Sequence, residues 1–253
     1  FNGEIRRYFI IKTESRAIDF FYTQHFLMEN FFKRLKLYGI GFGIGLFCVF
    51  FFFKNRGCSW LPENKVKASI LQRIIYIHSE DSLDFSKLKL GSSDVKKMID
   101  AGSVVFSESK KKGDPRAYVV SCVTPKGKKL NWIFTLPDGS FVSELKINSK
   151  EIIPAINKVR NSINGKGIPI YFPKNDELFY FGEKENLKKQ LKNLGFLKSK
   201  DLQAKLEKDS YINFENTKFD GQNATHFLEN ENFEIEATWY KEKITIKRLS
   251  EKK

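Results

Sequence analysis

The side chains able to do acid–base, nucleophilic or metal chemistry are scattered along this sequence. The 3 histidines, His25, His78 and His226, stand far apart and lack the spacing of metal ligands. Of the 3 cysteines, Cys48 lies in an apolar run, Cys58 just beyond it and Cys122 in a strand-like apolar segment, which makes no disulfide framework. Asp81 and Asp84, in SEDSLDF, form a close acidic pair of the kind many solvated loops carry. There is no G-x-x-x-x-G-K-[ST] phosphate loop, no G-x-S-x-G nucleophile elbow, no H-E-x-x-H and no C-x-x-C. Asn223-Ala224-Thr225 matches a glycosylation acceptor, which matters only in a eukaryotic secretory context. The sequence thus nominates no catalytic residue, no metal ligand and no cofactor, and leans away from an enzyme.

Charge is the stronger signal. Lysine and arginine number 44 against 30 aspartates and glutamates, a net charge of +14. Such a balance fits nucleic acid, an anionic membrane surface or plain solubility. The cations are interleaved with acids except in two places. Lys110, Lys111, Lys112 and Arg116 form one dense group, and Lys126, Lys128 and Lys129 the other. Both are loop-like and are the candidate contacts to an anionic partner, although a solvated loop is the simpler reading of each.

The elements that carry these groups begin with an apolar one. Leu37 to Phe53 is a run of 17 residues without a charge, about 25 Å long as a helix and at the short end for a transmembrane span. Lys36 and Lys54 bracket it, and Tyr38 and Trp60 stand where interfacial aromatics are expected. A buried soluble helix is disfavoured by the block Val49 to Phe53, which has no polar face. A cleaved signal lacks its small-residue site, and lipidation of Cys58 is disfavoured by Asn55 and Arg56 before it. Gly39, Gly41, Gly43 and Gly45 alternate within the run, so that two small-xxx-small pairs offer helix–helix packing in lipid. The expected layout is therefore an N-terminal tail over 1–36, a transmembrane helix over 37–53 and a juxtamembrane linker over 54–65. Met28, followed by a short basic stretch and then the span, is the expected natural start. The rival is a true tail with Ile5, Tyr8, Phe9, Ile18 and Phe21 on an interfacial helix. Positive charges flank both ends nearly equally, and a short tail rarely crosses, so the expected orientation puts the large part outside the cytoplasm, on a cell (inner) membrane.

Beyond the linker two small α+β modules are expected, over 66–148 and 151–253. In the first, GSSDVKKMIDAG reads as a helix capped by Ser92 or Ser93, with Val95, Met98 and Ile99 on one face and a left-handed stop at Gly102. Period-two runs follow. Tyr118, Val120 and Cys122 share a face, as do Leu130, Trp132, Phe134 and Leu136. Phe141, Leu145 and Ile147 share another, with Glu144 and Lys146 opposite. PKGK and PDGS supply the turns, which makes a helix plus an antiparallel meander, preceded by a strand or helix at Ile70 to Ile77.

DVKKMIDAGSVVFSESKKKGDPRAYVVSCVTPKGKKLNWIFTLPDGSFVSELKI, within residues 92–147, resembles the bacterial domain of unknown function numbered 4258. The features that match are Asp94 and Val95 in the helix, the stop at Gly102, the strand from Val104 and the turn at Asp114-Pro115. The resemblance implies the small α+β fold of RelE- and BrnT-like toxins, some of which cleave RNA. It brings no catalytic His, Tyr or Arg constellation to this chain.

In the second module, EIIPAINKVRNSIN reads as amphipathic, with Ile152, Ile156 and Val159 on one face and Gly165 and Gly167 ending it. IPIYF is a strand, and two short helices carry Leu187, Leu191, Leu194 and Leu202, Leu206, separated by a stop at Gly195. They read as a helical pair covering a sheet rather than a helix-turn-helix, because no recognition face stands out. A terminal hairpin turning at Lys241-Glu242 sets Trp239 opposite Ile244 and Glu236 opposite Lys247.

The sequence thus predicts a single-pass membrane-anchored protein that acts as a non-enzymatic interaction or accessory module of a cell-envelope complex. Its expected partners are the lipid bilayer and, through the span, another membrane protein or a second copy. The alternative is a toxin-like ribonuclease or nucleic-acid-binding domain tethered to the membrane.

Overall fold

The structure is a computed structural model that describes residues 31–51, 61–147, 165–182, 185–220 and 223–252. The expected tail up to residue 30, Met28 within it, Cys58 and the amphipathic helix at 151–164 lie outside the described residues. The chain divides into two compact units, Phe1–Ser59 and Trp60–Lys253.

The first unit contributes helix α1, Phe31–Phe51, of 21 residues and mean hydropathy 1.5 in its most apolar window, none of which is buried. Its length is about 32 Å at 1.5 Å per residue, which matches the hydrocarbon thickness of a bilayer. It is long and apolar enough to cross a membrane, a property it shares with signal sequences. The described helix already includes residues 31–36, which belong to the expected tail. Around Gly39, Gly41, Gly43 and Gly45 no atom beyond the adjoining residues and the helix's own backbone comes within 4 Å of where a Cβ would sit.

The second unit opens with α2 (Pro62–Leu71), β1 (Ile74–His78), α3 (Ser82–Leu88) and α4 (Ser92–Ala101). Then come β2 (Ser103–Val104), β3 (Arg116–Val123), β4 (Lys129–Leu136), β5 (Val142–Ile147), β6 (Lys166–Tyr171) and β7 (Phe179–Tyr180). Helices α5 (Glu185–Asn193) and α6 (Ser199–Asp209) lead to β8 (Tyr211–Asp220), β9 (Asn223–Glu229), β10 (Phe233–Tyr240) and β11 (Lys243–Glu251). All the described strands join one 11-stranded mixed sheet in the order β2-β3-β4-β5-β1-β6-β8-β9-β10-β11-β7. β1 runs parallel to β5, β7 runs parallel to β11, and the other pairs are antiparallel.

The helix plus meander of the first expected module is present as α4 and β2 to β5, with Val95, Met98 and Ile99 buried as expected. The strands of both expected modules nevertheless belong to a single sheet. β1 is the reason. It pairs with β5 on one side and β6 on the other, and its residues are buried on both faces. Ile75 and Ile77 point into a core beneath α2, α3 and α4 with Trp132, Phe134 and Leu145. Ile74 and Tyr76 point into the opposite core with Leu187, Leu191, Leu202 and Leu206 of α5 and α6. The period-two alternation of one strand stitches two cores together. The sheet also coils. The Ala224 amide at the start of β9 donates to the Gly139 carbonyl in the β4–β5 turn at 3.1 Å, across four strand steps of the sheet order.

Several local expectations change. The N-cap of α4 is Gly91, not Ser92 or Ser93, and the Asp94 carboxylate accepts from the Gly91 amide at 3.1 Å. Gly102 is extended rather than left-handed. It is required for space, since a Cβ there would lie 2.8 Å from the Met98 carbonyl oxygen and 2.9 Å from that of Ser121. Phe141 precedes β5 and joins the α5/α6 core, while Leu145 faces the α4 core. In the terminal hairpin Trp239 does face Ile244, and Lys241 and Glu242 both adopt positive φ, at 49° and 63°. Glu236 faces Arg248 instead of Lys247, because a bulge between Glu236 and Ala237 shifts the register by one residue.

Candidate functional site

The two basic clusters nominated from sequence do not meet. Lys110 bridges to Ala117 beside the start of β3, and Arg116 opens that strand. Lys126, Lys128 and Lys129 lie in or after the turn at its other end, about 25 Å away at roughly 3.3 Å per residue. Arg116 is also engaged, its Nη2 donating to Asp138 at 2.6 Å. Asp84 pairs with Lys87 on the exposed side of α3, and Asp81 sits in the preceding turn.

The structure does bring a serine and a histidine together. The Ser140 hydroxyl lies 2.8 Å from Nε2 of His226, and Thr217 Oγ1 lies 3.3 Å from Nδ1. Rings of Phe141, Phe214 and Phe219 pack edge-on around the imidazole. Burial pushes the His226 pKa down from 6.5 to about 3, so the ring is neutral. Nucleophilic chemistry would require an exposed hydroxyl and an acid to orient the base. Ser140 is 0% exposed, and the group on Nδ1 is a threonine. The contact serves to seal the coiled sheet where β9 meets the β4–β5 turn.

Two buried charges flank β1. Arg73, just before the strand, is 6% exposed, donates through Nη1 to the Pro137 carbonyl at 2.9 Å and lies 4.8 Å over the ring of Trp239. Burial, and then the neighbouring charge of Arg116, lower its pKa to about 10, against the pull of Asp138 and Asp114. On β5, Glu144 sits opposite Tyr76 and is 4% exposed, whereas the period-two alternation predicts a solvent face for it. Its cross-strand partner Tyr76 belongs to the core beneath α5 and α6, so that face is covered. Burial raises the Glu144 pKa, with Lys146, whose Nζ is 3.6 Å away, and His78 opposing the rise.

The densest polar network lies on the face of β8 to β11 turned away from α5 and α6. Phe233, Ile235 and Ala237 take the core positions of β10, which leaves Glu234, Glu236 and Thr238 on the other side. Glu229 of β9 faces Glu234 and is held from three directions. Tyr211 OH donates to Oε2 at 2.8 Å, Asn213 Nδ2 to Oε1 at 2.6 Å and Lys252 Nζ to Oε2 at 2.6 Å. Lys252 also donates to Tyr211 OH at 3.1 Å, and Lys166 Nζ lies 4.3 Å from the tyrosine ring centre. Burial alone would raise the Glu229 pKa, but the bonds from Lys252, Tyr211 and Asn213 outweigh it and hold the group below 4.5. Burial and the Glu229 carboxylate raise Glu234, which Arg248 approaches at 3.8 Å. Adjacent carboxyls with opposed shifts are the raw material of acid–base pairs. Here both carboxylate oxygens of Glu229 are already occupied, so the arrangement ties β8, β9 and the end of β11 together.

The described residues line several surface grooves, three of which can be placed. One, of about 570 Å³, runs between α5 and β11 past Glu185, Gln190, Lys247 and Arg248. A second, of about 480 Å³, is lined by Lys96, Tyr171, Lys174, Leu178 and Glu242, and a third, of about 520 Å³, by Lys174, Lys200, Gln203 and Glu207. None is lined by Ser140, His226, Arg73, Glu144 or Glu229. Among the described residues no group of three His, Cys, Asp or Glu side chains is placed to hold a metal ion.

Sequence reasoning misses the Arg73–Trp239 and Glu229 clusters. It does not identify β8 and β9 as strands, and the alternation in YINF and ATHFLE is the available signal for the second cluster. No local signal marks Arg73, whose partners lie 64 and 166 positions away. No family model, no curated protein and no solved structure matches this chain.

Proposed function

We propose that this chain is a single-pass membrane protein whose Trp60–Lys253 unit is a non-enzymatic interaction or accessory module of a cell-envelope complex. The observation that carries the reading is α1, a 21-residue apolar helix that buries none of its most hydropathic window. An apolar surface of that length is unfavourable in water and is accommodated by lipid. Buried ionisable groups that could have been catalytic are instead satisfied within the fold, as at Glu229 and His226. The glycines on α1 leave room for a second helix to approach closely. Orientation with the Trp60–Lys253 unit outside the cytoplasm is part of the proposal.

Two measurements test it. Membranes washed with alkaline carbonate should retain the full chain, and its release into the supernatant would refute the anchor. A membrane-impermeant maleimide should then label Cys58 in intact spheroplasts, with Cys58→Ser as the control. Labelling only after lysis would put the unit in the cytoplasm. The RNA-directed alternative, which rests on the likeness of residues 92–147 to a toxin-like family, would then take precedence.

A further inference from the structure

A basic surface on α5 and the turn after it is left without any partner among the described residues. Leu187 and Leu191 anchor α5 to the core. Successive residues of a helix are about 100° apart, so Lys188, Lys189 and Lys192 fall within one outward arc opposite those leucines. Lys198 and Lys200 continue the charge through the turn into α6. All five are exposed or nearly so, and none makes a salt bridge or a side-chain hydrogen bond among the described residues, in contrast to Lys205, which pairs with Asp209 at 3.0 Å. The acids beside them are Glu185 on α5 and Asp201, whose carboxylate accepts from the Lys198 amide at 2.9 Å. At the tip of the turn Phe196 is buried, while Leu197, next to Lys198 in the chain, is 68% exposed.

We propose that this surface, Lys188, Lys189, Lys192, Lys198 and Lys200 around Leu197, docks on the anionic headgroups of a lipid bilayer. The inference rests on reading α1 as a membrane span. Lysines near an anionic leaflet are each attracted to it, and their long stems let the charge reach the phosphates. An exposed leucine amid them adds an apolar tip that enters the headgroup region. The patch carries no exposed aromatic ring on which bases could stack, which favours lipid over nucleic acid. Ten residues separate Phe51 from Pro62. A span would therefore hold the second unit at high effective concentration over the bilayer, so weak contacts suffice.

The test uses the full chain in nanodiscs of phosphatidylcholine alone or mixed with phosphatidylglycerol. A Leu197→Cys substitution, in a Cys48→Ser, Cys58→Ser background, carries an environment-sensitive dye, and hydrogen exchange is followed over residues 186–200. Docking predicts a blue-shifted dye and exchange slowed by roughly tenfold, the effect of one to two lysines engaged, in the phosphatidylglycerol discs alone. Both effects should vanish at 1 M salt, where the screening length is about 3 Å. They should also vanish when Lys188, Lys189, Lys192 and Lys198 are changed to Gln. Equal signals in both kinds of disc would overturn the proposal. Protection by a single-stranded RNA in phosphatidylcholine discs, with none from phosphatidylglycerol, would also overturn it and assign the surface to nucleic acid. If carbonate extracts the chain, the anchor has failed independently. Co-sedimentation of the dye-labelled chain with phosphatidylglycerol vesicles then decides the surface by itself, and its absence overturns the proposal.

Discussion

The Arg73 guanidinium lies 4.8 Å over the ring of Trp239, joining the start of β1 to the end of β10. The same group donates to the Pro137 carbonyl before β5, so one buried cation ties three parts of the coiled sheet. Replacing Arg73 by Met should cost about 2–3 kcal/mol, since it leaves that carbonyl without its donor and removes the cation over the ring. Trp239→Leu should cost less. A double-mutant cycle read by urea unfolding in mild detergent should show a coupling of about 1–2 kcal/mol. Strict additivity would mean the ring contact contributes nothing.

His226 should make the fold acid-sensitive. Its pKa is about 3 when folded against 6.5 ordinarily, so the native state binds fewer protons. Its contribution is complete above about pH 6.5 and is lost as the pH falls towards 3. At pH 4.5 the loss is on the order of 2–3 kcal/mol relative to pH 7. His226→Asn keeps a neutral hydrogen-bonding group beside Ser140 and Thr217, and should flatten this part of the profile when unfolding is measured at both values. An unchanged profile would show that protonation is accommodated without opening the site.

Glu144 has the opposite sign. Its folded pKa is raised, so the native state binds more protons and the contribution is lost as the pH rises above the ordinary 4.5. Glu144→Gln should therefore raise the unfolding temperature at pH 7.5, by about 1 kcal/mol of stability, and change little at pH 4. Lys146→Met should do the reverse at neutral pH, because Lys146 is the counter-charge 3.6 Å away.

The Glu229 network predicts a third pattern. Its folded pKa is lowered, so its contribution is present above about 4.5 and lost as the pH falls below it. Lys252→Met should cost about 1–2 kcal/mol at pH 7, since it strips a charged donor from a carboxylate that Tyr211 and Asn213 hold out of water. Hydrogen exchange should localise the effect to the end of β11 and its pairing with β10. Uniform loss across the sheet would assign Lys252 a wider role.

Segments with a strong local period are legible in the sequence. Val95, Met98 and Ile99 on α4, the alternation of β3 and β4, and Leu187, Leu191, Leu202 and Leu206 on the last two helices all fall on the faces their spacing demands. β8 and β9 are not legible, because Asn213 to Lys218 interrupts the alternation where the register shifts. The candidate site is harder to read for a related reason. The dense lysine loops are conspicuous in sequence, yet they end up at opposite ends of β3. The groups that do converge, such as Arg73 with Trp239, are inconspicuous and distant in the chain.

Sequence alone determined the apolar α1, the helix-plus-meander pattern, the covering helix pair and the closing hairpin. Each depends on contacts between residues a few positions apart, for which spacing is sufficient information. Only the tertiary structure decided that β1 inserts between β5 and β6 and makes one sheet of two expected modules. It alone decided that a bulge moves Glu236 onto Arg248, and that Glu144, Arg73 and His226 are taken out of water. Strand order and burial of charge follow from which distant surfaces exclude solvent together. That is a property of the assembled core and is not encoded in any local period.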